Sequence, residues 1–195
     1  MEKIKIPLKY FLRRKIIHFL FGIISIAIIL LLPEESPYVF SLIAILFIIF
    51  DLWRRGEGKW REWFYKTFGN MLKSSESKGR ITGATTFWMT VAGLYFSLPQ
   101  NIVIVAVLIL SISDPLASIF GRLFPVKRIW HEKSLIGSTT FFLSSFVIYY
   151  FAVPAFVIPH LFATLLVTLI ELFAPELLEN ILIGFGAAII FIFIF

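Results

Sequence analysis

Long apolar segments recur along the whole chain, and they restrict its fold more than any other feature of the sequence. Most of them approach the roughly 20 residues that a helix needs to cross a bilayer. The bilayer core offers no water to backbone groups, so helices are the expected form. The sequence therefore predicts an all-α, polytopic integral membrane protein with about seven transmembrane helices in one unit, residues 1–195. The seven apolar segments are about Lys15–Leu32, Tyr38–Trp53, Thr82–Leu98, Asn101–Phe120, Leu135–Ala152, Phe156–Phe173 and Ile181–Phe195.

Composition agrees with this class and excludes several kinds of site. The chain is 59% hydrophobic and only 15% charged, whereas a soluble domain carries about 25% charged residues. Cysteine is absent, which excludes disulfides and thiolate metal sites. The three histidines are scattered and form no zinc pattern.

The cations are confined to alternate connections between the apolar segments. All 18 lysines and arginines precede or open the first segment (Lys3 and Lys5 among them), lie between the second and third, or lie between the fourth and fifth. Positive charge marks the cytoplasmic side of a membrane protein. This distribution predicts a cytoplasmic N-terminus and an outside C-terminus. The basic loops also account for the net charge of +6, which therefore does not indicate nucleic-acid binding.

The long connection after the second segment has a helical pattern of its own. Aromatic and apolar residues recur there at helical spacing, with lysines and arginines on the other side. This pattern predicts an amphipathic helix in the cytoplasmic interface. It has two readings, a simple anchor or a platform for a lipid substrate. The apolar positions are Trp60, Trp63, Phe64, Phe68, Met71 and Leu72.

The fourth segment and the connection after it contain the strongest candidates for chemistry. Asp114 lies inside an apolar segment, where a carboxylate is costly and usually functional. Asp114, Ser118 and Arg122 are four residues apart in turn, so on a continuous helix they share one face. Helix N-terminal amides at the start of the fifth segment could hold a phosphate. An acid for a metal ion and cations for phosphates suggest nucleotide or phosphoryl chemistry. The end of the connection and the start of the fifth segment contain Lys133, Ser134, Gly137 and Ser138.

Polar residues fall at the cytoplasmic ends of all seven predicted helices. A transporter should bind near the bilayer midplane, so a layer confined to one side instead favours a reaction between a soluble nucleotide and a membrane lipid. Simpler interpretations stay open for several members, such as an ion pair of Asp51 with Arg54 or Arg55. The layer comprises Lys15, His18, Asp51, Thr82, Thr85, Thr86, Asp114, Ser118, Ser134, Ser138, Glu171 and Asn180.

Four short motifs in this order resemble the membrane family of dolichol, phytol and farnesol kinases and CTP-dependent diacylglycerol kinase. The block from Asp114 to Ser138 is the specific one, and the resemblance covers nearly the whole chain. The same block is similar to that of CTP:phosphatidate cytidylyltransferases, which is the main alternative. The motifs are Arg14-Lys15-Ile-Ile-His18, Gly79-Arg-Ile-Thr-Gly83, Ser113-Asp114-Pro-Leu-Ala-Ser-Ile-Phe-Gly121-Arg122 and Lys133-Ser134-Leu-Ile-Gly137-Ser138, followed by Glu171 and Glu179-Asn180.

The resemblance implies transfer of the γ-phosphate of CTP to the hydroxyl of a membrane lipid alcohol, with Mg²⁺. It implies Asp114 as the metal ligand, with Glu171 or Glu179, and Lys15 and His18 near the reacting groups. His18 and a carboxylate are equal candidates for the general base. Asp51, Trp60, Trp63 and Phe64 would contact the lipid or support the site. The residues implied for nucleotide and phosphate binding are Arg122, Gly121, Ser118, Lys133, Ser134, Gly137, Ser138, Thr82 and Asn180.

Overall fold

The computed structural model describes residues 6–124, 127–131, 133–154 and 156–195, so the cations Lys3 and Lys5 lie outside the described residues. The chain is mostly helical, as the sequence predicts. One short antiparallel pair, β1 (Arg128–Trp130) and β2 (Lys133–Ser134), precedes α8. The helices are α1 Leu8–Leu31, α2 Ser36–Trp53, α3 Lys59–Phe68, α4 Ser74–Ser77, α5 Gly83–Ser97, α6 Gln100–Leu108, α7 Asp114–Leu123, α8 Leu135–Ala152, α9 Val157–Phe173 and α10 Glu179–Ile194.

Every predicted apolar segment is helical, and several helices suit a membrane. Among the described residues, four helices are long and apolar enough to cross one: α1, α2, α8 and the continuous helix Gln100–Leu123 that contains α6 and α7. Helices α9 and α10 are apolar but shorter. Large apolar side chains also cover the outside of the bundle, with Phe151 82% and Phe193 83% exposed. An apolar exterior on this scale is typical of a surface that faces lipid.

Proline and hydroxyl residues set the helix starts. Pro7 and Pro99 stand immediately before α1 and α6, where the missing N–H costs nothing. Thr82 and Ser134 cap α5 and α8, since their side-chain oxygens accept from the N–H groups of Thr85 and Gly137. Each hydroxyl thus satisfies one of the donors that a helix start leaves unpaired.

A π-helical segment, Ile109–Ser113, joins α6 to α7 and sets the position of Asp114. The Asp114 N–H bonds to the Ile109 carbonyl, five residues back. π-Helical turns inside α-helices often occur at functional sites. Helix α1 packs closely on this segment, because a Cβ atom on Gly22 would lie 2.1 Å from the Ser111 Cβ. This close approach brings the first helix within reach of Asp114.

Two other tight helix contacts shape the bundle. A Cβ on Gly121 would lie 3.2 Å from the Gly137 Cα, so α7 and α8 approach closely at the two glycines. A Cβ on Gly184 of α10 would lie 2.6 Å from the Thr90 side chain of α5. The core between these helices is aliphatic and aromatic, and Phe87 at its centre is fully buried.

The amphipathic segment forms α3 and then a 3₁₀ turn, Gly69–Met71. The predicted helix is therefore present, but its α-helical part ends at Phe68. Its aromatic residues stack on one another and on the end of α2. Trp60 lies 4.8 Å from Trp63 and 5.6 Å from Phe50 between ring centroids.

Candidate functional site

A polar cleft lies where α1, the starts of α5, α7 and α10 and the connection from Lys73 to Ile81 meet. The cleft has a volume of about 50 Å³ and is partly open to solvent, so it is much smaller than the roughly 300–1,000 Å³ typical of small-molecule sites. Its lining is almost entirely polar or charged: Arg14, Lys15, His18, Lys73, Ser75, Glu76, Arg80, Ile81, Gly83, Thr86, Asp114, Glu176, Leu177, Glu179 and Asn180.

Asp114 belongs to the fourth apolar segment and contacts a lysine of the first. Its Oδ2 atom accepts a hydrogen bond from Lys15 Nζ at 2.9 Å, and the Asp114 side chain is only 2% exposed. Its Oδ1 atom is also buried and has no hydrogen-bond partner among the described residues. Asp114 therefore pairs with Lys15, 99 residues away in the sequence, and keeps one oxygen available.

His18 is fixed beside this pair by a carbonyl that proline leaves free. The π-helical pattern would direct the N–H of residue 115 to the Leu110 carbonyl, but Pro115 has no N–H. His18 Nε2 lies 3.0 Å from that carbonyl oxygen and takes the vacant place. A carbonyl can only accept, so Nε2 must carry the proton. His18 Nε2 is 3.9 Å from Asp114 Oδ2, too far for a hydrogen bond.

A second group of charges joins the start of β2 to α9 and α10. Lys133 Nζ donates to Glu171 and, at 2.6 Å, to Glu179. Burial alone would lower the pKa of Lys133, but the carboxylates of Glu179, Glu171 and Asp114 raise it above its usual value. Lys133 thus bridges the carboxylates of Glu171 on α9 and Glu179 on α10. Lys73 approaches Glu179 from the other side, at 3.6 Å.

Glu76 is a site residue that sequence reasoning missed. Its carboxylate accepts two bonds from the Arg14 guanidinium, at 2.5 and 2.7 Å, and one each from the N–H groups of Lys73 and Gly83. Burial alone would raise the pKa of Glu76, but the Arg14 guanidinium and these N–H groups hold it below its usual value of 4.5. The one sequence signal was Arg14, which belongs to the first motif.

Both carboxylate oxygens of Asp51 have hydrogen-bond partners in the protein, so Asp51 leaves no oxygen available to a ligand. Its two oxygens accept from the Arg54 guanidinium, the Thr82 N–H and the hydroxyls of Thr82 and Thr85. Arg54 is fully buried and also donates to the carbonyls of Glu76 and Arg80. The ion pair with Arg54, one of the simpler interpretations, is present. Thr82 caps α5 within this network.

Asn180 connects α10 to the start of α5 at the cleft wall. Its Nδ2 group donates to the Gly83 carbonyl at 2.9 Å and to Thr86 Oγ1 at 2.8 Å. Gly83 also allows the Arg14 guanidinium to approach, since a Cβ there would lie 2.6 Å from Nη2. The Asn180 side-chain amide thus connects α10 to the start of α5.

The α7–α8 junction lies beside the cleft without lining it. Ser134 Oγ donates to the Gly121 carbonyl and accepts from the Gly137 N–H, and the Leu135 N–H bonds to the Lys127 carbonyl. Two amides at the start of α8 are therefore already engaged. Ser118 is partly buried on α7, and Ser138 Oγ is buried with no hydrogen-bond partner among the described residues.

Arg122 and the aromatic helix also lie apart from the residues that line the cleft. The Arg122 guanidinium donates to the Ile6 carbonyl and lies 4.4 Å over the Phe11 ring. It thereby packs α7 against the start of α1. Trp60, Trp63 and Phe64 of α3 form an aromatic cluster with the end of α2, in which the Trp63 side chain stays largely exposed.

The acids near the cleft offer a divalent cation only part of a ligand set. Among the described residues, no cluster of three or more His, Asp or Glu side chains has the geometry of a metal site. Asp114 Oδ1 and Glu171 Oε2 are nevertheless buried oxygens without partners. Mg²⁺ in nucleotide sites usually takes only one or two carboxylates, with phosphates and water completing its shell. The donor set fits a cation that arrives with a nucleotide, not a cation held by the protein alone.

The sequence matches no protein-family model and no curated protein, and the structure matches no solved structure. The function must therefore be argued from the motifs and the geometry of the cleft.

Proposed function

We propose that this protein is a lipid-alcohol kinase that transfers the γ-phosphate of CTP to a lipid hydroxyl at the cytoplasmic face of the membrane. The observation that carries the proposal is the meeting of Lys15, His18 and Asp114 in one polar cleft at the end of an apolar bundle. A cleft at such a place is open to a soluble nucleotide and adjoins the bilayer. Phosphoryl transfer needs mainly positioning and charge neutralisation, and this lining is rich in both signs of charge.

The membrane arrangement is part of the proposal. Seven transmembrane helices would be α1, α2, α5, the α6–α7 helix, α8, α9 and α10, with α3 in the cytoplasmic interface. The N-terminus would be cytoplasmic and the C-terminus outside. A tag placed after Phe195 should then be accessible from outside in intact cells, and a C-terminal tag found in the cytoplasm would contradict the seven-helix count.

The residues divide into roles by charge. Lys15 and Lys133 supply ammonium groups for the phosphates. Asp114 and Glu171 offer the unpartnered oxygens, with Glu179 beside them. Mg²⁺ bound there with the nucleotide would neutralise charge on the transferring phosphate. The Arg14–Glu76 pair and Asn180 keep the walls of the cleft in place.

The reaction balances with one proton released. The lipid hydroxyl oxygen forms a bond to the γ-phosphorus, and the bond from that phosphorus to the β–γ bridging oxygen breaks. CDP leaves with that oxygen, and the hydroxyl proton passes to a base. His18 Nε2 already holds a proton toward the Leu110 carbonyl, so it cannot be the accepting atom. The free nitrogen Nδ1 or a carboxylate of the cleft is the candidate base.

The test uses purified protein, mixed lipid acceptors and CTP labelled at either the α- or the γ-phosphorus. The proposed kinase moves only the γ-label into lipid and releases CDP. A CDP-lipid synthase, the related alternative, moves only the α-label and releases pyrophosphate. Label in neither lipid product, for polyprenol, phytol-like alcohol, diacylglycerol and phosphatidate alike, would contradict both enzymes and favour a transporter or scaffold.

A further inference from the structure

Two buried carboxylates of the site each have one oxygen bonded to a lysine. The other oxygen of each has no hydrogen-bond partner among the described residues. Asp114 Oδ2 accepts from Lys15 Nζ at 2.9 Å, while Oδ1 is buried without a hydrogen-bond partner among the described residues. Glu171 repeats the arrangement, since one oxygen accepts from Lys133 Nζ and Oε2 is buried without such a partner. Both side chains are at most 3% exposed.

A lysine can exchange its carboxylate partner for another anion more readily than an arginine can. Its ammonium is a compact charge on a flexible stem, without the fixed fork that commits arginine to one carboxylate. Lys15 lines the cleft, and Lys133 donates to Glu179, which also lines it. The two lysines keep 13% and 22% of their side-chain surface exposed, so neither ammonium is fully enclosed by its carboxylate. Buried carboxylates need a counter-charge at all times. A lysine can leave only when another cation replaces it.

We propose that Lys15 and Lys133 are exchangeable counter-ions that make divalent-cation binding and nucleotide binding depend on each other. In the nucleotide-free protein they neutralise Asp114 and Glu171. When a divalent cation arrives with a nucleoside triphosphate, the two ammonium groups move to the phosphates and the cation takes the carboxylate oxygens. This inference rests on the proposed function, because it requires a triphosphate in the cleft.

The exchange has a thermodynamic consequence. A cation alone meets carboxylates that already have lysine partners, and a triphosphate alone meets lysines that already have carboxylate partners. Each ligand must therefore bind more tightly when the other is present, and by the same factor, because coupling between two sites is reciprocal. Couplings of this kind are typically about 5- to 150-fold.

The first measurement uses the unaltered protein, with Mn²⁺ as the probe. Free Mn²⁺ is counted by its electron paramagnetic resonance signal, with and without the β,γ-methylene analogue of CTP, which cannot transfer its phosphate. The Mn²⁺ that the analogue itself chelates is measured without protein and subtracted. Mg²⁺ competition and the Asp114→Asn protein identify the specific site. The Mn²⁺ dissociation constant should fall at least about 5-fold when the analogue is added. Equal Mn²⁺ affinity in both conditions would overturn the exchange.

The second measurement uses Lys15→Met and Lys133→Met. Each substitution removes the competitor from a carboxylate, so Mn²⁺ alone should bind more tightly than in the unaltered protein. Each also removes a phosphate partner, so the CTP analogue should bind more weakly. A merely structural lysine would weaken both ligands together, whereas the exchange predicts shifts of opposite sign. Lys78→Met is the matched control, because it removes an equal charge from an exposed position.

The outcomes separate this inference from the proposed function. If Mn²⁺ binding rises in the two variants but the CTP analogue binds none of the proteins, the carboxylate–lysine competition holds and the CTP assignment fails. If the analogue binds and phosphate reaches lipid, yet both variants bind Mn²⁺ like Lys78→Met, the exchange fails and the kinase assignment stands.

Discussion

The replacement of Glu76 by alanine gives a prediction that does not depend on the activity. The substitution leaves the Arg14 guanidinium without its carboxylate and removes the acceptor for the N–H groups of Lys73 and Gly83. Removal of one partner of a buried ion pair costs about 3–5 kcal/mol. Arg14 keeps 21% of its side-chain surface exposed and retains its bond to the Met71 carbonyl, so water can relieve part of the loss. We therefore expect the lower end, about 3 kcal/mol of unfolding free energy.

The assay is thermal unfolding of the purified protein in detergent, followed by intrinsic tryptophan fluorescence. For a protein of this size about 3 kcal/mol corresponds to a fall in Tm of about 6–12 °C. Glu62→Ala removes a carboxylate from an exposed position of α3 and should leave Tm unchanged, which controls for a general charge effect. Because an apolar pair can replace a buried ion pair at little cost, the double variant Arg14→Met with Glu76→Leu should recover much of the loss. A Tm of Glu76→Ala equal to that of Glu62→Ala would refute the reasoning.

Three further predictions concern pH, packing and turnover. The folded pKa of Glu76 lies below 4.5, so its contribution to stability should be full above that value and be lost as the pH falls through the folded pKa; Tm measured against pH should show this loss in the unaltered protein and not in Glu76→Gln. Gly22→Ala should destabilise the protein strongly, because the new Cβ would lie 2.1 Å from the Ser111 Cβ, and Gly22→Ala with Ser111→Gly should recover part of the Tm. Asp114→Asn should stay folded by circular dichroism but lose phosphoryl transfer by orders of magnitude, and an active Asp114→Asn protein would remove this acid from the metal role.

Periodicity and apolar length predicted the helices well, because both follow directly from local sequence. Each apolar segment is helical, and the aromatic spacing after Trp53 marks a helix that begins at Lys59. The sequence could not predict that the helix at Gln100–Leu123 is interrupted by a π-helical segment. At that segment Gly22 of α1 packs closely against Ser111, which is a contact between residues 89 positions apart.

Sequence patterns singled out Lys15 and Asp114, which line the cleft, but not their pairing. Sequence spacing placed Asp114 and Arg122 on one face, whereas Asp114 pairs with Lys15 and Arg122 binds the Ile6 carbonyl. Glu76 gave no pattern, since it lies in a polar connection where an acid is unremarkable. Its burial arises only when α1 and α5 bring Arg14 and Gly83 around it.

Hydrogen-bond completeness divides four buried acids of the described residues into two pairs, and burial does not. Asp51, Glu76, Asp114 and Glu171 are all at most 4% exposed. Every oxygen of Asp51 and Glu76 accepts at least one bond from the protein.

Asp114 and Glu171 each keep one buried oxygen without a partner among the described residues. A buried polar atom left unpaired costs about 1–3 kcal/mol, and such a cost is expected where a ligand completes the bonding. Substitutions at Asp51 and Glu76 should thus lower stability first, whereas those at Asp114 and Glu171 should lower turnover first.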